Sequence, residues 1–124
     1  MNQQPSDCLF CRIAAGEVPA DLLHDDDLVV AFRDISPKAP THILVIPRRH
    51  VVSAADLTEE DAPLLGRLFA VAANLARDTG VADSGFRLVT NSGRGAGQSV
   101  DHLHFHLLGG RAMSWPRCEL ESTL

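Results

Sequence analysis

The sequence predicts an α+β domain, a five-stranded, mostly antiparallel sheet with one long and one short helix. Three observations carry this reading. One long segment places apolar residues at helical spacing, five short apolar or β-branched runs are bounded by turn residues, and the order is helix, three strands, long helix, two strands. Both helices are expected to pack on one face of the sheet.

Asp7 is placed to cap a short helix over Cys8–Ala15, with Gly16 as its stop and Pro19 beyond. Leu22–His24 and Leu28–Phe32 form a hairpin about the acidic run Asp25–Asp27. His42–Pro47 (HILVIP) is β-branched, apolar and bounded by prolines, which suits a central strand. The run Thr58-Glu59-Glu60-Asp61 matches a capping box, with its acids at the positive end of a helix dipole. Leu64, Leu65, Leu68, Phe69, Val71, Ala72 and Leu75 continue that helix until Gly80 ends it. Phe86–Thr90 and His102–Leu108 are the last two strands, joined by the glycine-rich stretch Asn91–Ser99. The domain is expected over residues 7–116, with a flexible N-terminus at 1–6 and a polar tail at 117–124.

A chain of 124 residues that is 45% hydrophobic and 22% charged can bury one real core, which excludes a disordered or coiled-coil protein. The formal charge of −5 disfavours nucleic acid or an anionic membrane as a partner, while leaving room for a small anion at a locally positive site. No apolar run approaches a membrane span, and the start MNQQPSDCLF has neither a basic nor an apolar leader segment, so a cytoplasmic location is expected. Three cysteines make an odd set. In a reducing compartment the close pair Cys8 and Cys11 suggests metal binding or redox chemistry, with Cys118 a bystander.

The strongest chemical signal is His102-Leu103-His104-Phe105-His106-Leu107-Leu108. If this run is a strand, three imidazoles line one face while Leu103, Phe105 and Leu107 enter the core on the other. Three imidazoles can hold a catalytic zinc with an open position. They can equally act without metal, one ring attacking while its neighbours orient it and carry protons. Just before them, Ser92-Gly93-Arg94-Gly95-Ala96-Gly97-Gln98-Ser99 offers backbone N–H groups that can approach a phosphate closely, with Gln98 and Ser99 as side-chain donors.

These residues, read with three further segments, resemble a known family. The run Gln98 to Leu108 matches the histidine-triad signature, in which three histidines alternate with apolar residues. Asp34-Ile35-Ser36-Pro37-Lys38-Ala39-Pro40-Thr41-His42 with Ile43-Leu44-Val45-Ile46-Pro47, and Leu108-Gly109-Gly110-Arg111 with Trp115-Pro116, match in the same order. The chain is similar to the HINT branch, the histidine-triad nucleotide-binding proteins, over about residues 7–116.

The resemblance implies a homodimer whose two sheets join, each protomer binding a purine nucleoside monophosphate and hydrolysing purine nucleoside phosphoramidates or aminoacyl-adenylates. It implies His104 as the nucleophile that forms a nucleotidyl-histidine, supported by His102, His106 and His42 and requiring no cofactor. Gly97, Gln98 and Ser99 would hold the phosphate oxygens, with the Ser99 hydroxyl near the departing amine and Asn91 beside the phosphate. Asp34 would accept the ribose hydroxyls, and Leu9, Phe10, Ile13, Phe32, Ile35 and Leu44 would form the slot for the base. Trp115 would reach the leaving-group side of the site, typically the neighbouring protomer's. The resemblance also gives the Cys8-x-x-Cys11 pair two partners, His50 and His102, completing a structural zinc site of the kind found in several bacterial relatives. Without it, Cys8 and Cys11 read equally well as buried free thiols, Asp34 as a turn residue before Ser36-Pro37, and the apolar slot residues as ordinary core. Three departures from the family pattern are Ala96, where many relatives carry glycine, Asp101, where an aromatic is common, and the ending Trp115-Pro116-Arg117-Cys118 with six further residues, where a short Pro-Gly finish is usual. Two further activities fit the same residues: a nucleotide-binding regulator with incidental hydrolysis, and a dinucleoside-polyphosphate hydrolase.

Overall fold

Strand β3 (Thr41–Pro47) is buried from His42 to its end, and this double-sided burial organises the computed structural model, which describes residues 7–115. The expectations for residues 1–6 and 117–124, and for Pro116 and Cys118, lie outside the described residues. Strand β3 pairs antiparallel with β2 (Val29–Arg33) on one side and β5 (Phe105–Gly109) on the other. The outer strands are β1 (Leu22–Asp25) and β4 (Phe86–Val89), giving the order β1-β2-β3-β5-β4 with every pair antiparallel. The predicted fold class is therefore what the chain adopts.

The helices, however, pack on opposite faces rather than on one. Val29, Ala31, Ile43, Val45, Phe105 and Leu107 face the long helix α2 (Ala62–Asp78), which contributes Leu64, Leu68, Val71, Ala72, Leu75 and Ala76. Val30, Phe32, Leu44 and Ile46 face the other way, against Phe10 and Ile13 of α1 (Leu9–Ala14). The physical reason is the unbroken apolar runs of β2 and β3, whose alternate residues are all hydrophobic, so both faces need cover.

Local caps differ from expectation in instructive ways. The Cys8 sulfur, rather than Asp7, accepts the Cys11 N–H at the start of α1, at 3.3 Å. The capping box at Thr58 forms, with the Asp61 carboxylate accepting the Thr58 N–H at 2.9 Å, but it caps a 3-10 turn, Glu59–Asp61, that feeds into α2. Gly80 ends α2 with φ +86 and at once opens a third helix, α3 (Val81–Ser84), which the sequence did not suggest. The acidic hairpin turn has a structural purpose. The Asp26 carboxylate accepts the N–H groups of Leu28 and Val29 and the guanidinium of Arg67 on α2, and pairs with His24. Burial alone would raise its pKa, but these donors outweigh it and hold the carboxyl well below the usual range.

Strand β5 begins at Phe105, later than expected, so His102 and His104 precede the ladder. There the chain is held by single bonds: Leu103 N–H donates to the Val51 carbonyl at 2.6 Å, and the Thr90 hydroxyl donates to the His104 carbonyl at 2.7 Å. At the far end of β5, a Cβ on Gly109 would lie 2.6 Å from Cγ1 of buried Val81. Gly109→Ala is expected to destabilise the protein by about 1–3 kcal/mol through overpacking, read in a urea titration, and Val81→Ala in the same chain should recover part of that loss. No helix among the described residues is long and apolar enough to cross a membrane.

Candidate active site

A cavity of about 260 Å³ opens on the α1 face of the sheet. Its walls include all six residues expected to form the base slot: Leu9, Phe10 and Ile13 from α1, Phe32 from β2, Ile35 from the following loop and Leu44 from β3. Phe10, Ile13, Phe32 and Leu44 also belong to the core on this face, so one set of side chains serves both packing and cavity wall. Ile35 is fully exposed at the rim. Asp34, Ser99, His104 and His106 line the same space. So do Val18, Pro19, Ala20, Arg33 and Val100, which sequence reasoning missed. The apolar run Val18-Pro19-Ala20 after the α1 stop was the available signal.

The backbone fixes the tautomer of each imidazole around the cavity. Lys38 N–H donates to His42 Nδ1 at 3.0 Å, so the hydrogen of neutral His42 sits on Nε2 and is donated to His106 Nδ1 at 2.9 Å. That leaves the His106 hydrogen on Nε2. Next to it, His104 donates Nδ1–H to the His102 carbonyl at 2.7 Å, which leaves the Nε2 lone pair of His104 unprotonated. The rings of His104 and His106 lie 5.0 Å apart. Asp34 places Oδ2 3.5 Å from His42 Nε2, while its Oδ1 accepts the Ser36 N–H at 2.7 Å, as the turn reading anticipated.

Burial lowers the pKa of every ring in this group. It pushes His106 down to about 3, with the neighbouring His104 and His42 adding to the effect, and it lowers His104 and His42 although the Asp34 charge opposes the shift. At neutral pH the rings are uncharged. The hydrogen-bond chain requires this, as does a lone pair able to attack.

The glycine-rich loop is placed differently from expectation in one respect. Both side-chain hydrogens of Gln98 are committed, to the carbonyls of Val52 at 2.7 Å and Val100 at 2.9 Å, and its Oε1 accepts the Gly93 N–H. The N–H groups of Ala96, Gly97 and Gln98 bond within the loop. Gln98 therefore shapes the loop rather than offering donors, and the loop residues that reach the cavity are Ser99 and Val100. Ala96 closes a 3-10 turn, Arg94–Ala96, where no glycine is needed. Asn91 lies off the cavity and donates to the Ala96 carbonyl at 2.8 Å; its Oδ1 is buried with no hydrogen-bond partner among the described residues. Trp115 is exposed and does not line the cavity of its own chain.

The triad does not converge as one ligand set. His102 turns away from the cavity, donating Nε2–H to the Pro47 carbonyl at 2.8 Å and presenting Nδ1 to Cys8 Sγ at 3.3 Å and Cys11 Sγ at 3.5 Å. His50 Nδ1 lies 3.2 Å from Cys11 Sγ and 3.3 Å from His102 Nδ1. The four ligand atoms all fall within 4.8 Å of one another. Two thiols and two imidazoles, one held in its metal-binding tautomer by a backbone carbonyl, fit a zinc ion. Burial, together with the hydrogen bond and charge of Cys8, pushes the Cys11 thiol up to about 12, so it holds its proton unless a cation displaces it.

An open antiparallel sheet here gathers neutral, tautomer-fixed imidazoles over an apolar cavity. The chain belongs to the HIT domain family, whose pattern it matches over residues 15–113, and it is a hydrolase of that family. It is 49% identical over 105 residues to a purine nucleoside phosphoramidase of Escherichia coli K12, covering 85% of this chain and 88% of that protein. A HIT family hydrolase from Legionella pneumophila superposes with a TM-score of 0.87 at 48% identity, over 89% of this chain and 98% of that one. A histidine triad nucleotide-binding protein from Candida albicans superposes at 0.76 with 30% identity, over 89% and 83%.

Proposed function

We propose that the chain hydrolyses purine nucleoside phosphoramidates and aminoacyl-adenylates to the nucleoside monophosphate through a nucleotidyl-histidine on His104. One observation supports this above the others: His104, which lines the cavity, donates its Nδ1–H to a backbone carbonyl, so its Nε2 lone pair stays unprotonated. The amine nitrogen of a phosphoramidate takes a proton from solvent, His104 Nε2 attacks the α-phosphorus, and the bond from phosphorus to that nitrogen breaks so that the amine leaves neutral; an aminoacyl-adenylate loses its carboxylate in the same step. Water then attacks the same phosphorus, the bond to His104 breaks, and the ring returns neutral. His106, with its hydrogen on Nε2 and His42 behind it, stabilises the developing negative charge and handles the proton. The Ser99 hydroxyl attends the departing group, Asp34 accepts the ribose hydroxyls, and the α1 wall with Phe32, Ile35 and Leu44 takes the base. These roles need no cofactor.

Cys8, Cys11, His50 and His102 would hold a structural zinc, a closed set that supplies a crosslink between α1 and the segments carrying His50 and His102. A homodimer joined along β4, the outer strand of the sheet, where Phe86 is exposed, would bring Trp115 to the partner's site. The location is cytoplasmic, where Cys8 and Cys11 stay reduced.

Hydrolysis of a substrate with a chiral thiophosphoryl centre tests the two-step course. Two successive displacements return the starting configuration; net inversion at phosphorus would mean direct attack by water and would remove His104 from the covalent role.

A further inference from the structure

We propose that the Cys8, Cys11, His50 and His102 cluster and the nucleotide cavity are thermodynamically coupled, so that zinc on the first and a nucleoside monophosphate in the second each tighten the binding of the other. The inference rests on the nucleotide-hydrolase reading above and concerns what this chain's own residues transmit between two sites.

Two physical connections join them. The first is α1, whose six residues are too few to be stable as an isolated helix. Cys8 and Cys11 bracket Leu9 and Phe10, and Leu9, Phe10 and Ile13 are the cavity wall. Whatever fixes the first turn of α1 fixes that wall. The second is residue 102, whose ring and backbone face different sites. Its Nδ1 belongs to the cluster, while its carbonyl holds the Nδ1–H of His104. Phe10 bridges both connections, its ring edge-on to His102 at 6.0 Å and to His104 at 5.2 Å.

A second cleft, of about 500 Å³, lies on the other side of this partition. Cys8 and His50 line it, and it shares Leu9, Ser99 and Val100 with the nucleotide cavity. Leu9, Ser99 and Val100 therefore border both spaces. A cation that draws the two sulfurs and two ring nitrogens together orders α1 and residue 102, and a nucleotide packed against Leu9, Phe10 and Ile13 orders the same elements from the other side. Each ligand then finds part of the ordering already done, and linkage makes the benefit reciprocal.

The test measures both directions on the full chain. Adenosine monophosphate is titrated calorimetrically into zinc-loaded protein and into protein stripped by a chelator, and zinc affinity is measured by chelator competition with and without the nucleotide. The nucleotide Kd is expected to fall about tenfold on zinc loading, with the zinc Kd falling by the same factor on nucleotide addition. Circular dichroism of the stripped protein establishes that it remains folded. If it does not, the rate at which excess chelator strips zinc from the folded holoprotein is compared with and without the nucleotide, and an unchanged rate overturns the coupling. Phe10→Leu, which keeps an apolar wall and all four ligands, should retain zinc and bring the factor towards one. Equal nucleotide affinity in the two forms, or failure of the chain to bind zinc, overturns the coupling while leaving the hydrolase reading standing. Absence of nucleotide binding in either form, with no phosphoramidate turnover, overturns both.

Discussion

Replacing His104 with alanine is expected to lower kcat for an adenosine phosphoramidate by at least about 10³-fold, roughly 4 kcal/mol of transition-state stabilisation. The substitution removes the atom proposed to bond to phosphorus. It also leaves the His102 carbonyl without the Nδ1–H it now accepts. The base slot does not depend on this ring, because Phe10, Ile13, Phe32 and Leu44 are held by their own cluster. Affinity for adenosine monophosphate should therefore stay within about tenfold of the parent protein, separating a lost chemical step from a lost site. Removing His42 should be milder, at the ~10²-fold end of general acid–base assistance, since its proposed action reaches the reaction through His106. Steady-state kinetics on both variants, with calorimetric nucleotide binding, checks the pair. A His104→Ala protein that turns over at the parental rate would eliminate the proposed nucleophile.

What the sequence made legible followed from period and composition. The helix after Thr58 and the central strand HILVIP stand where the apolar patterns put them, because those segments are long or strongly biased. Helix α3 escaped notice because four residues, Val81–Ser84, carry no period. The opposite-face packing of α1 was in principle readable, since an unbroken apolar strand asks for cover on both sides. The triad shows a different limit. Its three histidines read as one face of a strand, yet the ladder starts at Phe105 and His102 is turned to the cysteines by the Pro47 carbonyl. Alternation in sequence gives a common face only where the backbone is a strand. Gln98 illustrates the same point at the level of a side chain: composition offered a donor, and the fold had already used both of its hydrogens. Tautomers, which decide which nitrogen can attack, depend on backbone groups at Lys38 and His102 that no spacing rule encodes.

The buried imidazoles also set how the protein responds to acid. His106 titrates at about 3 when folded, against 6.5 for an ordinary histidine, because burial and the adjacent rings disfavour its charged form. Between those values the unfolded chain binds a proton that the folded one refuses, so stability falls as pH falls, by up to about 1.4 kcal/mol per pH unit for this one group. Its contribution is fully present above about pH 6.5 and is lost progressively on the way towards 3. His42 and His104 shift in the same direction and steepen the loss. Carboxylates such as Asp26 act lower, their support disappearing as pH drops below the ordinary carboxyl range. The His106 share is isolated by comparing urea unfolding of the parent chain with His106→Asn from pH 7 to 4.5. Carboxylates and the cysteine cluster contribute alike to both, so the difference reports the ring. The variant should be the less stable of the two at pH 7, through loss of the buried ring's packing, and the gap should narrow steadily with acidification. Parallel curves across that interval would mean that His106 titrates in the folded protein as it does in the unfolded one, taking up a proton below about pH 6.5 and ceasing there to accept the His42 hydrogen.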